Sequence, residues 1–213
     1  MNQFSLGQLF SSAWQQFQKH WIIGVALSGA SLLLSFIPFI GGVLTTLVFP
    51  TLYAAYGLKA WASRESLSFD SIFLRDLLVY LKVLVGIVAI SIVPSIILGF
   101  GTTGEIFTGM WLRGGMDTPL LLILILLAAL ATIVLAFLLL TYPYFIIDKG
   151  MDILSAFQSS IRLSLTNSAI VLGFFAIVIG INLLGALLCG IGLLVTTPFT
   201  LIAMAGLYKE LAA

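Results

Sequence analysis

Six stretches of this chain are apolar for long enough to cross a bilayer, with polar or amphipathic intervals between them: Trp21 to Ile37, Gly41 to Ala60, Val79 to Phe100, Pro119 to Ile147, Ala169 to Leu188 and Ile191 to Tyr208. A helix covering about 30 Å of hydrocarbon needs roughly 20 apolar residues. The first stretch is short and needs the segment before it. The fourth carries no charge and would extend about 43 Å as a helix, so it must tilt, kink or project beyond the bilayer. Pro38 to Gly42 joins stretches one and two, and Leu188 to Gly192 joins five and six. Neither connection is charged, which predicts tight hairpins or, alternatively, one re-entrant pair.

An amphipathic segment precedes each odd-numbered stretch. The first aligns Leu6, Leu9, Phe10, Ala13, Trp14 and Phe17; the second, after Ser68, aligns Phe69, Ile72, Phe73, Leu77 and Tyr80; the third, after Asp152, aligns Ile153, Leu154, Phe157, Ile161 and Leu165. Spacings of three and four residues describe one face of a helix. Ser68 and Asp152 are natural N-caps. Such segments suit helices lying in the headgroup plane, or they begin the next span, or they pack in a core.

Each even-numbered stretch pairs a threonine with a proline and ends near a lysine: Thr46, Pro50 and Lys59; Thr141, Pro143 and Lys149; Thr197, Pro198 and Lys209. Proline deprives a helix of one donor, and nearby hydroxyls or neighbouring helices must satisfy the freed carbonyl. The repeating unit would be amphipathic helix, span, turn and kinked span, over 1–62, 66–149 and 150–213 of a single domain, 1–213. Proline is also common in membrane helices generally.

Composition supports lipid as the solvent. Of 213 residues, 61% are hydrophobic and 8% charged, against about 25% charged in soluble domains. Lys19, Lys59, Arg64, Arg75, Lys82, Lys149, Arg162 and Lys209 fall on one side of a six-span arrangement and Arg113 alone on the other. The positive-inside rule then places both termini in the cytoplasm. The expected fold is therefore an all-α integral membrane protein of about six transmembrane helices, with amphipathic interfacial helices before spans one, three and five. A net charge of +1 offers no basic surface for nucleic acid.

Candidate chemistry is sparse. Every Asp, Glu, Lys and Arg can sit at or beyond an interface, so no buried carboxylate supports proton coupling. Asn182, midway along span five, either glues helices or lines a path. Ser91 and Ser95 flank Pro94 and read as kink repair or as a substrate site. The loop from Gly101 to Thr118 reads as a lid, a partner-binding loop or a plain connector. The single histidine, His20, and single cysteine, Cys189, cannot assemble a metal site or a disulfide, and no P-loop or dinucleotide fingerprint is present. His20 reads as an interfacial anchor beside Lys19 and Trp21. An intramembrane enzyme would have to rely on His20 or Asp148.

Residues Tyr144 to Gly150, Ser155 to Ser160, Arg162 to Asn167 and Gly190 to Pro198, with Glu65 to Asp70 in the N-terminal half, resemble uncharacterised bacterial inner-membrane proteins related to the membrane domain of some glycerophosphodiester phosphodiesterases. The resemblance covers essentially the whole chain. In those relatives the chemistry resides in a separate soluble barrel, so it implies no catalytic residue here. The expectation is a noncatalytic protein without cofactor in a bacterial inner membrane, an envelope scaffold or accessory factor that associates with membrane lipids and another membrane protein. The alternative is a small multi-span transporter or channel, with Asn182, Thr46, Pro50, Pro94, Pro143, Thr197 and Pro198 as its polar and kink positions.

Overall fold

The computed structural model describes residues 5–37, 45, 48–63, 65, 67–73, 77–88, 96, 118–188 and 190–212, with backbone alone at 118–121. Among these residues all regular structure is helical. In chain order the helices are α1 (Leu6–Ser35), α2 (Phe49–Ala62), α3 (Phe69–Ile72), α4 (Leu77–Val88), α5 (Thr118–Leu138), α6 (Tyr142–Lys149), α7 (Ile153–Thr166), α8 (Ser168–Leu187) and α9 (Leu193–Leu211). Thr46, Pro94, Ser91, Ser95, Cys189 and the glycine-rich loop up to Asp117 lie outside the described residues.

The C-terminal helix is the hub. α9 packs on α1, α2 and α8, and its small residues Ala203, Ala205 and Gly206 are buried there. Helix α1 comes closest at Gly24, where a Cβ would stand 2.5 Å from both the Pro198 Cβ and the Tyr56 hydroxyl. Helix α2 comes closest at Gly57, where a Cβ would lie 2.6 Å from the Leu201 carbonyl oxygen. One core gathers Leu9, Ala13, Phe17, Leu52, Tyr56, Phe174 and Ile202 between α1, α2, α8 and α9. A second gathers Leu58, Val83, Tyr142, Tyr144, Leu163 and Tyr208 around α6. Both cores draw on α9, so the two halves of the chain are held through its last helix.

The three amphipathic segments meet three fates. The first runs without a break into the first apolar stretch, because no proline interrupts residues 6–35. Its stripe is turned onto protein: Leu9, Ala13 and Phe17 are buried, and Phe10 stacks on Phe174 at 5.4 Å between centroids. The second is divided: Phe69 and Ile72 belong to the single turn α3, ended by an extended Phe73, and Leu77 and Tyr80 belong to α4. The third is a separate helix, α7, capped by Asp152, whose Oδ2 accepts from the Ser155 amide at 3.4 Å. The Ser155 hydroxyl and amide hold that carboxyl below its ordinary range. The packing face of α7 is rotated from its apolar stripe: Leu154 and Leu165 are exposed, Phe157 and Ile161 pack partly against the second core, and Ala156, Ser160, Leu163 and Ser164 are buried.

Two described segments are long and apolar enough to cross a membrane, Leu122–Lys149 with 28 residues and Ser168–Leu187 with 20. By length and apolarity the six expected spans reduce to these two among the described residues. Helices α1 and α9 have the length, with 30 and 19 residues, but glutamines, threonines and terminal charges dilute their apolar character. Helix α4 is apolar and shorter. Only 11% of the most apolar part of the first segment and 17% of the second is buried inside the protein. A core helix of a soluble protein would be mostly buried, so these two turn their leucines and isoleucines outward.

Candidate functional site

The best-defined polar site is the break between α5 and α6. Pro143 occupies the first turn of α6, a position that tolerates its missing donor. An uninterrupted helix would send the amides of Thr141 and Tyr142 to the carbonyls of Phe137 and Leu138, and leave Leu139 without a partner opposite Pro143. Instead the Tyr142 amide donates to Leu139 at 3.4 Å. Ser164 Oγ donates to the Phe137 carbonyl at 3.0 Å, Ser160 Oγ donates to Leu138 at 2.9 Å, and the Thr141 amide donates to Ser160 Oγ at 3.3 Å. The Phe137 and Leu138 carbonyls and the Thr141 amide are thereby satisfied by the serines of α7, and the Leu139 carbonyl by Tyr142. Thr141 contributes indirectly, its Oγ1 lying 3.0 Å from Ser160 Oγ. Ser160, Ser164 and Thr141 are all fully buried.

Sequence reasoning allowed nearby threonines or a neighbouring helix to make the repair; it comes from the neighbouring helix, through Ser160 and Ser164, which were not singled out. The available signal was their spacing of four residues along one edge of the apolar stripe of α7.

A second polar cluster joins α8 to α9. Asn182 Nδ2 donates to the Val178 carbonyl at 2.9 Å and to Thr200 Oγ1 at 3.4 Å, while Asn182 Oδ1 accepts from Thr196 Oγ1 at 3.2 Å. Thr200 Oγ1 in turn donates to the Thr197 carbonyl at 2.9 Å, next to Pro198. Asn182 is thus brought to Thr196 and Thr200 and bound on both sides of its amide. Pro198 does sit inside a helix. Pro50 occupies the first turn of α2 as described, so there it stands at a helix start. Gly190, at φ 77°, turns the chain between α8 and α9.

The carboxylate of Asp148 is fully engaged. Its Oδ1 pairs with Lys209 Nζ at 2.7 Å and its Oδ2 accepts from the Tyr208 hydroxyl at 3.0 Å. Lys149 Nζ donates to the Ala212 carbonyl at 2.9 Å, and Lys59 donates to the Ser71 carbonyl. These bonds tie the lysine ends of α2, α6 and α9 to their neighbours. Among the described residues no group of three His, Cys, Asp or Glu could hold a metal ion.

The chain belongs to the DUF7847 family, a domain of unknown function whose model matches residues 1–211. No curated protein matches it, and no solved structure does.

In this DUF7847 domain His20 is a core residue, 2% exposed, and not the interfacial anchor expected of it. Its Nδ1 accepts from the Leu67 amide at 3.4 Å, which pins the segment after α2 onto α1. The Tyr56 hydroxyl donates to the His20 carbonyl at 3.3 Å. Burial, and then the Lys19 charge, lower the His20 pKa.

Among the described residues, two cavities flank α1. One, of about 330 Å³, is walled by apolar side chains including Leu27, Leu34, Phe49, Leu52, Phe69 and Phe73. The other, of about 240 Å³, lies between α1, α2 and α9 and is lined by Ser28, Ser31, Ser35, Thr45, Tyr53 and Thr197 with three leucines. Its serines recur at three and four residues along α1, a pattern that sequence reasoning did not weigh.

Proposed function

We propose that this protein is a noncatalytic scaffold or accessory factor of a bacterial inner membrane, spanning it about six times with both termini cytoplasmic and associating with lipid or a membrane partner. The observation that carries the reading is the inverted amphipathicity of the chain. Helices α5 and α8 leave their apolar residues almost wholly unburied, and α7 turns Ser160 and Ser164 inward while leaving Leu154 and Leu165 exposed. In water that arrangement exposes leucine and isoleucine along two whole helices and is costly. In lipid that exposure carries no such cost, and the polar groups at the α5–α6 break and around Asn182 find partners inside the protein, as a bilayer demands. Asn182 and the serines of α7 act as interhelical glue, and the Asp148 pair fastens helix ends. The likeness to the membrane domains of phosphodiesterases belongs to this same reading.

The test is topology together with flux. Reporter fusions after Met151 and Ala212 should be active only in the cytoplasm, and the protein should resist carbonate extraction. Either a soluble protein or a reporter exposed at the outer face would sink the topology. Purified protein in vesicles should release no trapped solute. Release would favour the second reading, a small transporter or channel, which draws on the Asn182 cluster and the hydroxyl-lined cavity.

A further inference from the structure

We infer that the apolar cavity between α1, α2 and α3 binds a phospholipid, taking one acyl chain into its interior and holding the phosphate at Lys59. Its floor is Leu27, Phe49, Leu52 and Ile72, all buried. Its rim is Ala26, Ala30, Phe69 and Phe73, all exposed, so the cavity opens to the outside of the protein. The two alanines stand four residues apart on α1 and leave the mouth clear where larger side chains would close it.

The walls decide what enters. Every residue lining the cavity is apolar. Water settles in a cavity only where polar partners await it, and a polar or charged ligand would be desolvated there without compensation. Left empty, the walls forfeit their dispersion contacts across the gap. A dry void of about 150 Å³ already takes up benzene. This one holds about 330 Å³ and is open at its rim, which suits a flexible hydrocarbon chain.

Lys59 supplies the complement to a headgroup. Its Nζ donates to the Ser71 carbonyl, and Ser71 stands between Phe69 and Phe73 in the segment that forms one wall. An ammonium has three protons to donate, and that bond uses one. Among the described residues no carboxylate pairs with Lys59, Asp70 on the same turn included. The Ser71 hydroxyl is already spent on the Ser68 carbonyl at 2.6 Å, so the lysine is the headgroup contact. A cation with spare donors beside an apolar cleft matches an anionic phosphate joined to a hydrocarbon tail. A neutral hydrocarbon would leave that cation unused.

The inference rests on the membrane reading for its source of lipid, so insertion and binding are measured apart. Full-length protein is photolabelled in mixed micelles of dodecyl maltoside and a phosphatidylglycerol that carries a diazirine in its acyl chain. These micelles need no inserted bilayer, and release on carbonate washing of native membranes would count against the membrane reading alone. Mapped by peptide mass spectrometry, the label should fall on Leu27, Leu52 and Phe73. A matching diacylglycerol, which lacks the phosphate, should label them roughly tenfold less, and Lys59→Gln should erase that preference with helix content unchanged. Ala30→Phe fills the mouth and should cut labelling of the floor by roughly tenfold. Ala176→Phe, on the exposed side of α8, should leave it alone. If Ala30→Phe fails to fold, the wild-type map and the comparison of the two lipids decide the matter. Label confined to the outward faces of α5 and α8, equal labelling by the two lipids, or a floor signal indifferent to a folded Ala30→Phe overturns the assignment.

Discussion

Replacing Ser160 with alanine tests whether α7 holds the α5–α6 break together. The hydroxyl serves three groups: it donates to the Leu138 carbonyl at 2.9 Å, accepts from the Thr141 amide at 3.3 Å, and lies 3.0 Å from Thr141 Oγ1. In the variant Leu138 keeps the longer bond from Ser164, at 3.4 Å, but the Thr141 amide is stranded in a fully buried place. Stranding a buried donor costs about 1–3 kcal/mol, and each lost net hydrogen bond about 0.5–1.5 kcal/mol. In a bilayer, interhelical bonds average nearer 0.6 kcal/mol, which pulls the sum toward its lower end. Ser160→Ala should therefore lose about 2–4 kcal/mol. Ser159→Ala removes only a 3.8 Å contact to the Met151 sulfur and should lose less than about 0.5 kcal/mol. Unfolding of detergent-solubilised protein by dodecyl sulfate, followed by tryptophan fluorescence, separates the two. If Ser160→Ala and Ser159→Ala unfold at the same midpoint, the serine account of the break is wrong.

Three further outcomes follow from the packing. Gly24→Ala drives a methyl to 2.5 Å from Pro198 and Tyr56 and should cost about 1–3 kcal/mol or more, while Gly180→Ala, with nothing within 4 Å, should be neutral or stabilising; thermal melts compare them. Asn182→Leu removes the amide that joins α8 to Thr196 and Thr200 and should lower stability by about 1–2 kcal/mol, with helix content by circular dichroism unchanged. His20 has a lowered pKa in the fold, so the unfolded chain binds the extra proton. Stability is then unaffected above the ordinary imidazole value of 6.5 and falls as pH drops from there toward the folded pKa. Denaturation midpoints from pH 8 to about pH 5 should show this loss in the native protein and flatten in His20→Gln; equal slopes would remove His20 from the account.

Helix positions were legible because apolar runs and caps are local signals. The Asp152 cap, the glycine turn at Gly190 and the long helix ending near Lys149 follow from residues within a few positions of each other. The sense of α7 was not legible that way. An apolar stripe reads as a packing face only when the solvent is known, and Leu154 and Leu165 point away from the protein while Ser160 and Ser164 point in. Which hydroxyls repair the break at Pro143 was not legible for a related reason. Thr141 and Pro143 are neighbours in sequence, but the carbonyls released at the break are met from α7, some twenty residues onward. His20 likewise gained its role from Leu67, 47 positions away, and no pattern within one helix discloses such a partner.

The central place of α9 has a consequence for biosynthesis. Gly24 is shaped to receive Pro198, yet the ribosome makes the two roughly 170 residues apart. At about 5–20 residues per second, α1 and α2 wait on the order of ten to thirty-five seconds for the helix they pack against. During that interval the face bearing Gly24, Leu27 and Ser28 has no permanent neighbour. Whatever escorts the nascent chain must therefore shelter its first helices until its last one arrives, and a chain truncated before Pro198 would keep that face open for good.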